Sequence, residues 1–170
     1  MIEKSFQPTV KLFFKATREI LNDTWPVKAM TIAAVLFPVI VTAVTIFTSF
    51  KPSSAIWGGA FGLTIYTFAI LPFIQFMNIK RNLTSNPSAN QTQKYTLSDQ
   101  GLRNFGSGVD VNLDWTKIIK IRSSENFVLF YIAKNMAYFI PKELVSDTEL
   151  AQITQWHSKQ FGEALQATNS

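Results

Sequence analysis

Cysteine is absent from the 170 residues, and histidine occurs once, at His157. Without thiols the chain has no disulfide framework, no thiolate metal site and no cysteine nucleophile. Charge is also scarce: Asp, Glu, Lys and Arg make up 16% of the residues, against about 25% in an average soluble domain. The shortage is local, because from Ala29 to Ile79 the only charged residue is Lys51 while both flanks carry ordinary charge. The formal net charge of +5 is spread as single residues. No run of Lys and Arg interleaved with stacking aromatics occurs, so nucleic acid is not an expected partner.

What fills the uncharged stretch is apolar. Residues 30–50 give 21 positions, roughly 31 Å as a helix, and residues 55–77 give 23, roughly 34 Å, each enough for the hydrocarbon core of a bilayer. Lys51, Pro52, Ser53 and Ser54 alone separate them, so the expected form is a tight antiparallel transmembrane hairpin over 29–79 with both chain ends on one side. The run starts too late and is too long for a cleaved leader, so the first span is expected to stay. Basic residues resist translocation. Lys15, Arg18 and Lys28 before the first span, and Lys80 and Arg81 after the second, outweigh Lys51 at the tip, which predicts a multi-pass protein of the cell (inner) membrane with cytoplasmic termini. The sequons at Asn22, Asn82 and Asn90 are then incidental.

Within the spans Gly58 and Gly62 form a G-x-x-x-G pair that lets another helix approach closely. The favoured partner is the first span, through Ala33, Ala34 or Ala43, ahead of a dimer seam. Pro38 and Pro72 predict kinks. Neither span holds Asp, Glu, Lys, Arg or His, so the usual marks of a proton relay or ion path are missing.

Residues 1–28 read as an amphipathic cytoplasmic helix, with Phe6, Val10, Phe13, Phe14, Thr17 and Leu21 on one face and Pro8 in its first turn. It has two equal placements: on the headgroups, with Lys11, Lys15, Arg18, Lys80 and Arg81 contacting the membrane surface, or on the soluble domain. Residues 80–93, rich in Asn, Ser, Thr and Gln, read as a linker.

Residues 94–170 change period. Val109, Val111, Leu113 and Trp115 alternate with Asp110, Asn112 and Asp114, and Ile119 and Ile121 alternate with Lys120 and Arg122, as half-buried strands do. Residues 127–133 and 136–140 are apolar on both faces, which implies two-sided burial, and Lys134-Asn135 between them suits a hairpin turn. Turns at 99–101, 106–108 and 123–126 complete roughly six antiparallel strands. Ser146 and Glu149 make a capping box that opens a helix with Leu150, Ile153, Trp156 or His157, Phe161 and Leu165 as its stripe. The expected fold class is an α+β membrane protein: a two-helix hairpin followed by a small antiparallel PH-like barrel with a C-terminal helix.

Tyr95-Thr96-Leu97, Asp99-x-Gly101-Leu102, Trp115-x-x-Ile118, residues 127–131 and Ile140-Pro141-Lys142 occur in an order that resembles the C-terminal region of the YcxB-like bacterial membrane proteins. The resemblance implies a two-span hairpin ahead of a PH-like domain in a bacterial cytoplasmic membrane. It brings no established activity. Tyr95, Gly101, Trp115, Ile118, Pro141 and Lys142 are accordingly expected as motif and core positions. Glu143 departs from the basic or polar residue expected after Lys142.

Catalysis needs convergent reactive groups, and no catalytic, cofactor-binding or metal residues are assigned. His157 has no nucleophile or orienting carboxylate at a recognisable spacing, and Asp110 and Asp114 read as a solvated strand edge. No phosphate-binding glycine loop or metal cluster occurs, so neither a cofactor nor a small-molecule ligand is expected. The expected role is a noncatalytic, membrane-anchored protein-interaction or scaffold module. Its partners are the lipid bilayer and another protein or a second copy. The alternative is an accessory subunit or small carrier that oligomerises through the hairpin.

Overall fold

The computed structural model describes residues 1–49, 51–85, 91–106 and 109–168, with side chains for all of these except Val109 and residues 161–168. The expected contributions of Phe161 and Leu165 to the helix stripe, the Ser107-Gly108 part of one turn, Asn90, and Phe50 at the end of the first span lie outside this set.

Among the described residues, seven strands form two antiparallel sheets. The first holds β1 (Ile2–Phe6), β2 (Gln93–Leu97), β3 (Gly101–Gly106) and β4 (Val109–Asp114) in that order, and the second holds β5 (Lys120–Ser123), β6 (Phe127–Ala133) and β7 (Met136–Pro141). Five α-helices accompany them among the described residues: α1 (Val10–Asn22), α2 (Trp25–Phe47), α3 (Ser54–Ile65), α4 (Leu71–Ser85) and α5 (Asp147–Thr168). A π-helical turn, Tyr66–Ile70, joins α3 to α4, so Ser54–Ser85 is one continuous helix of 32 residues beside the 23 of α2. Both are long and apolar enough to cross a membrane. The fold class is thus α+β, with two long apolar helices, antiparallel sheets and a C-terminal helix.

The N-terminal reading needs correction. Residues 2–6 are not helical: Ile2 pairs with Leu97 and Phe6 with Gln93, so β1 is an edge strand of the first sheet. Its alternation is real but only five residues long, and Phe6 also fits the helical stripe that follows. Pro8 precedes the helix instead of lying in its first turn. Thr9 is the N-cap, its hydroxyl accepting the Leu12 N–H at 3.2 Å. The linker is also shorter than the composition suggested, because α4 runs on to Ser85 and β2 starts at Gln93.

The two-sided apolar character of β6 has a direct structural cause. Val128 and Phe130 point into a core built with Ile2, Tyr95, Leu97, Leu102, Trp115, Ile118, Ile140, Val145 and Ile153. Phe127, Leu129 and Tyr131 point the other way, into a second cluster with Phe139 and with Ala16 and Ile20 of α1. Ring contacts reinforce that second layer: Phe13 and Phe127 both meet Phe139 edge-on, at 5.1 and 5.4 Å between centroids. Thus α1 lies on the domain, and its far side meets α4 through Phe14 and Phe76. Each large side chain buried this way contributes about 1.5–3 kcal/mol.

The capping box forms as expected, with Ser146 N–H donating to Glu149 Oε2 at 2.8 Å and Glu149 N–H donating to Ser146 Oγ at 3.3 Å. The Lys134-Asn135 turn closes the β6–β7 hairpin at the Ala133–Met136 pair. One strand phase differs from expectation. Ile118 is buried and Ile119 is 49% exposed, because a 3₁₀ turn at Trp115–Lys117 resets the alternation before β5 begins.

Packing between the apolar helices also departs from the sequence reading. Ala34 and Ala60 are fully buried between them, and Thr64 Oγ1 reaches across to the Ala34 carbonyl oxygen at 2.8 Å. Gly58 and Gly62 are exposed, and a Cβ built on either meets nothing within 4 Å, so the glycine pair does not form the intramolecular seam. The helix widens into the π-turn Tyr66–Ile70 just before Pro72, whose ring would crowd the carbonyl four residues back in a regular α-helix.

Gly101 opens β3 at φ +156°, where a Cβ would stand 2.2 Å from the Leu113 carbonyl oxygen. Gly101→Ala is expected to cost about 1–3 kcal/mol and lower the thermal unfolding midpoint. Gly58→Ala, with open space around it, should leave that midpoint nearly unchanged.

Candidate functional site

The most charged constellation in the fold sits where the helices meet the sheets. Asp23 caps the C-terminus of α1, where a negative side chain opposes the helix dipole and needs a cation nearby. Strand β5 supplies two: Lys120 Nζ at 3.0 Å and Arg122 at 2.6 Å, with Lys28 of α2 at 3.6 Å. The hydrogen bond from Lys120 holds the Asp23 carboxyl below the usual carboxylate range, against the opposing effect of burial, and the charge of Arg122 adds to it. Lys120 also lies over the Tyr131 ring, 5.4 Å from its centroid. Burial, followed by the Asp23 charge, raises the Tyr131 phenol.

A second polar contact clamps the same helix one face over. Asn126, in the β5–β6 turn, donates to Glu19 Oε1 at 2.8 Å and accepts a hydrogen bond from Lys15. The sequence reading did not single out Asp23, Glu19 or Asn126. The available signal was a lone acid between an amphipathic helix and an apolar run, but its two closest cations, Lys120 and Arg122, lie about a hundred residues further along the chain. Lys120 and Arg122, read as a solvated strand face, instead tie β5 to the end of α1.

The motif residues divide between core and surface. Tyr95, Trp115 and Ile118 are buried; Trp115 Nε1 donates to the Ser98 carbonyl oxygen at 2.9 Å. His157 Nε2 lies 2.7 Å from the Ile118 carbonyl oxygen, and its ring meets Trp115 edge-on, so it helps join α5 to the core. Pro141 is buried at the end of β7. Lys142 pairs with Asp147 at 2.7 Å, and its backbone N–H donates to the Asn126 carbonyl oxygen. Glu143 is exposed. Of the basic residues expected at a membrane surface, Lys11, Arg18, Lys80 and Arg81 are exposed, whereas Lys15 turns to Asn126. Asp110 forms a two-point pair with Arg103, at 2.9 and 2.6 Å. Asp114 stands apart from it and exposed. Among the described residues, no three His, Asp or Glu side chains group as a metal site would.

The class is therefore an antiparallel α+β domain into which a pair of long apolar helices is inserted after the first strand. The comparison with known families agrees with the order of motifs: residues 97–156, from the end of β2 into α5, match the YcxB-like protein family. The similarity is confined to this segment; β1, α1 and the apolar helices lie outside the match. No curated protein matches the chain.

Asp23 ionises more readily in the folded state than in the unfolded one, so its contribution to stability is present above the ordinary carboxylate range and disappears as pH falls through its lowered value. Asp23→Asn is expected to lower the unfolding midpoint at neutral pH. The difference from wild type should shrink to nothing on acidification, as measured by thermal unfolding of the full chain in detergent between pH 7 and pH 3.

Proposed function

We propose that this chain is a noncatalytic interaction module of a bacterial inner membrane. In this reading α2 and the α3–α4 helix cross the bilayer as a hairpin, and a PH-like domain stands on the cytoplasmic face. The observation that carries it is the exposure of the apolar helices: only 11% of each most apolar window is buried. Side chains such as Leu36, Ile40, Phe61 and Phe73 face outward. A core helix of a soluble protein buries such groups, and water does not tolerate this much contiguous apolar surface.

The PH-like assignment draws on the element order, four strands, then three, then a helix, with the hairpin inserted between the first and second strands. Orientation draws on Lys28, Lys80 and Arg81 at the base of the hairpin against Lys51 at its tip. Because β1 precedes the hairpin and its partner β2 follows it, both flanks share one side.

The partner is another protein, and the surface offered to it is the outer face of the four-stranded sheet. The back of the three-stranded sheet is covered by α1, whereas Lys94, Arg103 and Phe105 are exposed on the first sheet, with Arg103 lying 6.0 Å over the Phe105 ring. An exposed aromatic beside an arginine is of the composition enriched where protein interfaces are anchored. Alkaline extraction of membranes should leave the chain in the pellet, and reporters fused at both ends should report the cytoplasm. Crosslinking followed by affinity capture should recover a reproducible protein that Phe105→Ala with Lys94→Glu removes. A monomeric, partner-free chain would refute the interaction role.

One observation favours a second reading, an accessory subunit or small carrier assembled through its helices: Gly58 and Gly62 present an open, side-chain-free strip on the outside of α3. Replacing both with Ile should then dissociate the assembly on detergent gel filtration. An unchanged elution volume would exclude this seam.

A further inference from the structure

At the base of the hairpin, α1, α2 and the π-turn enclose a cleft of about 360 Å³, within the roughly 300–1,000 Å³ of small-molecule sites. Its walls are apolar, with Met30 from α2 and Phe68 and Leu71 from the second helix, and its mouth carries Arg18 of α1 and Lys28 of α2. Among the described residues, no Asp or Glu lines it. Arg18 is exposed and makes no ion pair among the described residues, and Lys28 reaches Asp23 only at 3.6 Å. Two cations therefore face one opening with little to neutralise them.

The inner wall carries the second observation. Thr67, in the π-turn, is 7% exposed, yet its Oγ1 has no hydrogen-bond partner among the described residues. Every other described threonine of the two apolar helices donates to the carbonyl four residues back, as Thr31 does to Val27, Thr42 to Pro38, Thr45 to Val41, Thr64 to Ala60 and Thr84 to Lys80. Leaving a buried hydroxyl unpaired is unfavourable, because it gives up its bond to water and gains none in return. That cost is recovered when something in the cleft accepts its proton. Thr67 lines the same cleft as Arg18 and Lys28. A ligand that satisfies both ends has a negative head, an oxygen acceptor further in and an apolar tail.

We propose that this cleft seats one anionic phospholipid, its phosphate between Arg18 and Lys28, a glycerol-ester oxygen accepting from Thr67, and an acyl chain along Met30, Phe68 and Leu71. The position follows from the charge and the apolar wall together: the mouth lies where the helices leave the sheets, at headgroup level when the hairpin spans a bilayer. The proposal rests on that membrane reading. Binding would tie α1 to both apolar helices and so fix the domain against the hairpin.

The test is native mass spectrometry of the full chain released from detergent, after incubation with equal amounts of phosphatidylglycerol and phosphatidylcholine carrying the same acyl chains. The wild type is expected to retain one phosphatidylglycerol in preference to phosphatidylcholine. Arg18→Gln with Lys28→Gln should weaken retention about thirtyfold, while Lys80→Gln with Arg81→Gln, which removes two exposed cations outside the cleft, should change it little. Leu71→Trp, which fills the cleft without touching its charges, should also expel the lipid, and Thr67→Val should weaken it more modestly. Glycerol phosphate added in excess should fail to compete, which separates a lipid site from a simple phosphate site. Equal retention of the two lipids, equal loss in the two double variants, or competition by free glycerol phosphate would overturn the proposal. None of these outcomes touches the membrane reading, which fails separately if alkaline extraction releases the chain.

Discussion

Strand β6 needs cover on both of its faces, and the rest of the architecture depends on how that need is met. Val128 and Phe130 are satisfied by the other strands and by α5, as in any small two-sheet domain. Phe127, Leu129 and Tyr131 would leave an aromatic sheet face in water were α1 not laid across it through Ala16 and Ile20. The small side chain of Ala16 lets the helix backbone come close to the strands, and Phe139 fills the space to either side. Once α1 is fixed in this way, the start of α2 is fixed too, since only Asp23 and Thr24 lie between them. The Asp23 cluster then locks that corner to β5. The domain and the apolar helices thus form one packed unit.

Much of this was legible along the chain. Two-sided burial of residues 127–133 and 136–140, the turn between them, the capping box at Ser146 and the two apolar helices follow from local pattern alone, because period, turn chemistry and helix capping act over a few residues. The placement of α1 was not legible, since its apolar stripe would be buried equally well on headgroups or on a sheet. Nor was β1, whose five residues are too few to separate a strand from the helix after it. Its status depends on β2, which lies beyond the whole hairpin. The junction around Asp23 and Asn126 escaped for the same reason: its members meet only through tertiary contacts.

The glycine pair shows the limit of a motif taken without its rotation around the helix axis. Spacing of four residues places Gly58 and Gly62 on one face, but nothing local says which face meets α2. The face that does so carries Ala60 and Thr64, where a threonine hydroxyl shared with the Ala34 carbonyl oxygen supplies a polar tie as well as close packing. The open glycine strip and the polar-mouthed cleft at the opposite end therefore belong to the outside of the helix pair. What occupies them is decided by their surroundings.

Insertion of both apolar helices between β1 and β2 has a consequence for biogenesis. The first strand is synthesised long before the segment that hydrogen-bonds to it, and during that interval it presents unpaired backbone groups. If the hairpin is threaded into a bilayer, the four-stranded sheet can close only when both helices have inserted and brought the chain back to its starting side. A nascent chain with one helix left out, or in the wrong sense, would strand the two edges on opposite leaflets. Completion of the sheet would then act as a topology checkpoint, coupling the survival of the folded product to correct passage through the membrane.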